Sequence, residues 1–242
     1  MEQATKAAFY RGLKDGIPIC LGYLSVAVTF GMICTENDLP FWIAVLISMT
    51  NLTSAGQFAG AGLMIVGSSF FEIGLTTFVI NLRYLLMSLS LSQKVETNIS
   101  VPTRMAMSFG ITDEIFAVAM QEKGMVKPAY FFGLLFLPYW GWALGTLIGA
   151  TAIELLPLIV RSALGIAIYG MFLAIIIPPA RDEKPILYIV LFGALVSCLL
   201  EFLPLFQNLS GGWKIIICAV LASALAAKLW PVPPAETMKE EM

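Results

Sequence analysis

Apolar residues fill this chain in blocks of about twenty, the length that carries a helix across roughly 30 Å of hydrocarbon. Seven blocks have that length and predict spans: 17–34, 41–66, 70–91, 129–151, 158–177, 185–205 and 213–230. An eighth segment, 105–121 (MAMSFGITDEIFAVAMQ), is apolar around an acidic pair and fits either a span or a loop. Block 41–66 differs from the rest because TNLTSAGQ, residues 50–57, runs polar side chains through its middle. Irregular or polar backbone at membrane depth is tolerated only where protein buries it or a wet cavity faces it. Split there, 41–49 and 57–66 become half-helices of about 14 Å each at the 1.5 Å rise per residue. The competing reading is one continuous helix whose small residues, with Gly56 and Gly60 at GxxxG spacing, pack on a neighbour.

Composition strengthens the membrane reading. Of 242 residues, 59% are hydrophobic and 12% charged, against about 45–50% and about 25% in soluble domains; mean hydropathy is +0.86. The fold class expected is all-α, a polytopic membrane helix bundle of six to eight segments with one or two broken or re-entrant helices. It forms a single membrane domain over 1–242, with a short N-terminus, 1–16, and a C-terminal tail, 231–242. The N-terminal stretch is polar, and the run after it is too long for a signal core, so it reads as uncleaved.

The absence of histidine removes His-based acid–base catalysis and His metal sites. Cys20, Cys34, Cys198 and Cys218 show no CxxC spacing and read as small buried hydrophobes. GxSxG, a Walker loop and metal-ligand clusters are missing. An enzyme is not expected, nor a cofactor or metal, and no basic stripe suits nucleic acid.

Lys and Arg set orientation. Lys6, Arg11 and Lys14 precede the first span while Glu36 and Asp38 follow it, which puts the N-terminus in the cytoplasm. Arg181, Lys184, Lys228 and Lys239 fall on the same side if both termini share it. Lys94 and Arg104 then decide between two arrangements. If 41–66 crosses, they lie outside and eight crossings result. If 41–66 enters and returns, they lie inside, 105–121 becomes a return loop from the inner face, and six crossings remain. The charge rule favours the second.

The unwound ends of a broken segment would offer free N–H groups to a carboxylate and free carbonyls to an ammonium, as in transporter sites. Asn51, Thr53, Ser54 and Gln57 are candidate hydrogen-bonding side chains there, with Gly56 allowing the break. Arg83 sits inside span 70–91. A charge at that depth costs at least about 2.5 kcal/mol on insertion scales and normally has a partner. Asn81, Tyr84, Ser88 and Ser92 share one helical face beside it. Arg83 either anchors an ion pair, contacts a substrate carboxylate, or snorkels. Asp113 and Glu114 are its candidate partners and candidate proton carriers; behind Thr112 they also fit an N-cap with acids in the first turn. Glu72, Glu154, Arg161 and Glu201 read as interfacial charges, with Glu201 the deepest. Gly141, Gly145 and Gly149 form a four-residue glycine zipper for a neighbouring helix in this chain or another, and Pro138 predicts a kink or helix start.

Four motifs in order, SAGQF (54–58), NLRY (81–84), ITDEIFA (111–117) and WALGTLIGA (142–150), make the chain resemble the AzlC family. The resemblance runs from RGLKDGIPI (11–19) to YGMFLAIIIPPAR (169–181). It implies a bacterial inner-membrane exporter of branched-chain amino acids that works with a small membrane subunit of the AzlD type. By position it implies roles for Ser54, Gly56, Gln57, Arg83, Thr112, Asp113 and Glu114. That family often has an acid two residues before the arginine and a histidine after it; here Asn81 and Tyr84 stand there. The change moves the neutralising of Arg83 onto Asp113 or Glu114. The function expected is therefore proton-coupled amino-acid export. The alternatives are a channel or efflux valve for small solutes, and a non-transporting scaffold subunit.

Overall fold

The computed structural model describes residues 2–152 and 176–231, together with positions 157, 159, 166, 169, 170 and 173. Its helices include α1 (Glu2–Glu36), α2 (Phe41–Thr50), α3 (Ser54–Ile65), α4 (Phe70–Ser92), α5 (Val101–Phe109), α6 (Asp113–Met120), α7 (Pro128–Thr151), α8 (Lys184–Phe202) and α9 (Gly211–Leu229), with a 3-10 turn at Pro204–Phe206; residues 176–182 are helical as well. Among the described residues five helices, α1, α4, α7, α8 and α9, are long and apolar enough to cross a membrane. The span expected at 158–177, Glu154, Arg161 and tail residues 232–242 fall wholly or mostly outside the described residues.

Helices α1 and α7 lie side by side in parallel, and glycine makes this possible. A Cβ on Gly141 would lie 2.6 Å from Cys20 Sγ, one on Gly145 2.6 Å from Leu24 O, and one on Gly149 2.0 Å from Val28 O. The partners advance four residues with each glycine, so one register holds along the pair. Gly12 reciprocates on α1, where a Cβ would meet Tyr130 O at 2.1 Å. The zipper's partner is therefore α1 of the same chain. Pro138 does not start the helix; it lies inside α7, which begins at Pro128.

Two short hairpins dip into the bundle from opposite faces. In the first, α2 descends and α3 climbs back. Ser48 and Gln57 meet at its lower end, with Gln57 Nε2 3.3 Å from Ser48 Oγ, while Ala44 and Ala61 pack together with Phe30 and Cys34 near its mouth. The turn is Asn51–Leu52–Thr53, and Leu52 is 4% exposed. The break is narrower than the sequence predicts. Ser54, Gly56 and Gln57 already belong to α3, because the chain needs only three extended residues to reverse. A Schellman ending stops α3 at the mouth: Gly67 (φ 73°) donates to Met64 O at 3.1 Å and Ser68 to Leu63 O at 2.9 Å.

In the second hairpin α5 rises to Gly110, whose missing Cβ makes room for the Leu135 side chain. Thr112 then caps α6, which returns. At its base Lys94 Nζ donates to Met120 O, the end of α6, and Val126 N donates to Lys94 O at 2.7 Å. Arg11 pairs with Glu122 at 2.7 Å at the same level. The α4–α5 turn thus lies at the same face as the start of α1. Of the two arrangements open from sequence, both broken segments return. Helix α4 descends antiparallel to α3, with Gly60 facing Thr77 and Gly56 facing Asn81. Hence α1 with the α2–α3 hairpin and α4 with the α5–α6 hairpin share one order with opposite sense, the layout of inverted repeats.

The acidic residues at span ends also differ from expectation. Glu201 is the exposed one, pairing with Lys214 at 2.9 Å. Glu72, 8% exposed, is the deep one. It accepts from Gly212 N at 3.1 Å and from the Ser210 hydroxyl, so it caps α9 from α4.

Gly149→Ala is expected to destabilise the protein by about 1–3 kcal/mol, the range for overpacking a filled interface. Gly193→Ala, with nothing within 4 Å of the added Cβ, is expected to be neutral within about 0.5 kcal/mol. Thermal melts in detergent compare the two, and equal losses would contradict the α1–α7 contact.

Candidate functional site

The tips of the two hairpins and the middle of α1, α4 and α7 enclose a cavity of about 300 Å³ lined by Tyr23, Leu52, Ser54, Ala55, Ile80, Arg83, Tyr84, Thr112, Asp113, Glu114, Trp142 and Ile176. That volume lies at the small end for ligand pockets. It is set by the fold: α3 and α6 both start here, so two helix amino ends converge on it. Thr53 makes no side-chain cap on α3. Its hydroxyl donates instead to Asn51 Oδ1 at 2.6 Å.

The charged wall comes from α4 and α6. Arg83 Nη2 lies 2.8 Å from Asp113 Oδ2 and donates to Tyr84 Oη at 3.1 Å. Its guanidinium also covers the Tyr84 ring at 4.9 Å. Arg83 Nε is buried without a hydrogen-bond partner. Opposite, Tyr23 Oη lies 2.6 Å from Glu114 Oε2 and 2.6 Å from Thr112 Oγ1. One phenol carries one proton. With Glu114 ionised, the phenol donates to the carboxylate and the Thr112 hydroxyl donates to the phenol oxygen. Thr112 Oγ1 still accepts from Ile115 N at 3.3 Å, so capping and site-building coexist. Leu52, Ala55, Ile80 and the Trp142 face supply the apolar wall.

The cavity gathers Ser54, Arg83, Tyr84, Thr112, Asp113 and Glu114 from the sequence-derived candidates. The others stand elsewhere. Asn51 and Thr53 bond to each other in the turn. Gly56 packs where a Cβ would meet Asn81 Oδ1 at 2.6 Å, and that Asn81 oxygen has no hydrogen-bond partner among the described residues. Gln57 is wholly buried. It accepts from Trp142 Nε1 at 3.0 Å and donates to Ser48, whose hydroxyl lies 2.7 Å from that of Thr146. This chain ties α2, α3 and α7 together and fixes Trp142 as the cavity floor. Of the polar stripe on α4, Tyr84 lines the cavity, while Ser88 and Ser92 line a smaller one against α5.

Tyr23 and Trp142 were not singled out from sequence. They pack edge to face with centroids 5.1 Å apart. A signal existed, because Tyr and Trp usually mark membrane interfaces and these two lie mid-span, where a buried O–H or N–H needs a partner.

Crossing helices, two opposed re-entrant hairpins and an enclosed charged cavity define a polytopic helical membrane protein with an intramembrane site. More particularly, the chain belongs to the AzlC family: the family model described as AzlC protein matches residues 18–156. The chain is 28% identical over 239 residues to the Inner membrane protein YgaZ of Escherichia coli (strain K12), covering 95% of each. It is 31% identical over 188 residues to an uncharacterized membrane protein of Archaeoglobus fulgidus, 76% of this chain and 81% of that one. An uncharacterized membrane protein of Helicobacter pylori (strain J99) is 26% identical over 150 residues, 59% of this chain and 64% of its own. No solved structure matches the chain significantly.

Gln57→Leu is expected to cost about 1–3 kcal/mol of stability, because Trp142 Nε1 and Ser48 Oγ lose a buried partner. The same melts measure it. Unchanged stability with lost ligand binding would make Gln57 a direct ligand instead.

Proposed function

We propose that this protein is a secondary transporter that exports small apolar amino acids, of the branched-chain type, across the bacterial inner membrane. The observation that carries this reading is the cavity's composition. A zwitterion with an aliphatic side chain needs a cation, an anion and an apolar wall within a few ångströms. Arg83, the Asp113–Glu114 pair, and Leu52 with Ile80 supply them in about 300 Å³. The α3 amino end adds a second attraction for carboxylate. A site near mid-membrane between oppositely directed repeats is the usual arrangement in secondary transporters.

Orientation rests on charge. Lys6, Arg11, Lys14, Lys94, Arg104, Lys123, Lys127, Arg181, Lys184 and Lys228 gather at one face, the one where α1 begins. On the positive-inside rule that face is cytoplasmic. We take a small membrane subunit of the AzlD type as the partner. The face of α7 that carries the zipper glycines is filled by α1 and is not free to recruit it, which weighs against a pure scaffold role. The polar groups form one enclosed constellation rather than rings along a path, which weighs against an open channel.

Proteoliposomes holding the protein with its small subunit and loaded with leucine test this. Labelled leucine or valine should enter by saturable counterflow. Arg83→Gln should lower the rate by about 10–100-fold, the worth of one charge-assisted hydrogen bond. No exchange with or without the subunit, or single-channel currents in its place, would overturn the reading.

A further inference from the structure

The side-chain charges of the cavity do not balance within the chain. Arg83 brings one positive charge, Asp113 and Glu114 two negative ones. Asp113 takes the arginine, with Nη2 at 2.8 Å. Glu114 has no cation within ion-pair reach among the described residues. Its Oε2 accepts from the Tyr23 phenol at 2.6 Å, and no described group donates to its Oε1. The donors nearby are largely spent. The Trp142 N–H goes to Gln57, the Tyr23 O–H to Glu114, and Arg83 Nη2 to Asp113 and the Tyr84 hydroxyl. Arg83 Nε is buried away from the cavity. A ligand that enters meets one unmatched anion.

We propose that the cavity selects its cargo by the ammonium group, held at Glu114, so that small aliphatic amines lacking a carboxylate are ligands of the same site. This rests on the reading of the cavity as the transport site and names the class of compound it accepts. Unmatched charge at mid-bilayer is costly. An amine brings the side-chain charges to zero, a zwitterion leaves one negative charge, and a carboxylate alone makes two. Of the two helix amino ends, that of α6 is occupied by its own Thr112 cap and first-turn acids. The amino end of α3 is open and offsets about half a charge. Amine and amino acid therefore both fit, and a carboxylate alone does not.

The surroundings of Glu114 suit a cation. Tyr23 fixes its carboxylate, and the Thr112 hydroxyl, 2.6 Å from the phenol oxygen, fixes Tyr23 in turn. The anion is thus held in place before a ligand arrives. The rings of Tyr23, Tyr84 and Trp142 line the same volume, and aromatic faces attract an ammonium. Leu52, Ala55 and Ile80 take the hydrocarbon tail. The carboxylate of an amino acid is then a secondary contact, at the amino end of α3. Arg83 serves chiefly as the counter-charge of Asp113, without which the cavity would hold two unmatched anions.

Three compounds with one aliphatic skeleton test this: leucine, 3-methylbutylamine, which is leucine without its carboxylate, and 4-methylpentanoate, which is leucine without its amino group. Each is titrated by calorimetry into the purified protein with its small subunit, in detergent at neutral pH, where the amine is charged as a lysine is. The amine is expected to bind within about tenfold of leucine and to compete with it, and 4-methylpentanoate about 100-fold more weakly or worse. Glu114→Gln preserves shape and a hydrogen bond to Tyr23. It should weaken leucine and the amine by a common factor of about 10–100 and leave 4-methylpentanoate no weaker. A variant that weakens all three alike would show a structural role and overturn the assignment of Glu114. The wild-type series stands even if the variant folds poorly. Leucine binding that the amine does not displace, or 4-methylpentanoate binding as tightly as the amine, would overturn the proposal and leave amino-acid export standing. Amine binding without leucine binding would overturn the export reading and leave ammonium recognition standing. Binding of neither would overturn both.

Discussion

Backbone that leaves helical geometry inside a bilayer must find its hydrogen bonds within protein, and this constraint shapes the whole molecule. Six residues or so at two hairpin tips, 51–53 and 110–112, break the helix at mid-depth. They survive there because α1 and α7 wall them off. The glycines that bring those two helices into backbone contact therefore serve the site indirectly, by making a narrow, watertight support. Tyr23 and Trp142 project from that support into the gap between the tips. The cavity is what remains once both tips are buried.

Charge follows from the same geometry. Helices α3 and α6 begin at the tips, so their amino ends point at one small volume and favour anions. The acids of α6 lie in its first turn because that is where the helix dipole tolerates them. Once there, they need a cation, and α4 brings Arg83 within 2.8 Å. A lysine would reach this point as a single charge. The arginine guanidinium holds Asp113 and the Tyr84 hydroxyl together through one nitrogen, Nη2. The amino end of α4 repeats the device on a smaller scale, with Glu72 closing the amino end of α9.

Five of the expected spans were legible as long apolar runs, and the broken second block and the pairing of Arg83 with an acid near 113 because each violates the bilayer's rules. Polar residues or charges inside apolar runs stand out. The direction of the hairpins was legible only through Lys94 and Arg104, two charges among many. What could not be read was which polar residues face the cavity and which face protein. Gln57 and Ser54 lie one helical turn apart in one motif, yet Gln57 is sealed against Trp142 and Ser54 lines the space. Sequence spacing gives a helix face but not the neighbour across from it. The inverted repeat was equally hidden: Leu52–Thr53–Ser54 and Ile111–Thr112–Asp113 share only a short pattern at the two tips. Glu72 looked interfacial because its partners, Ser210 and Gly212, are far away in the chain.

The central claim is that both hairpins return to the face they entered. Single cysteines placed in a background lacking Cys20, Cys34, Cys198 and Cys218 test it by labelling with a membrane-impermeant maleimide from each side. Asn37→Cys and Val66→Cys are expected to react from one side, and Thr97→Cys and Lys123→Cys from the other. Reaction of positions 37 and 66 from opposite sides would mean that α2 and α3 cross the bilayer, and would contradict the architecture on which the site depends.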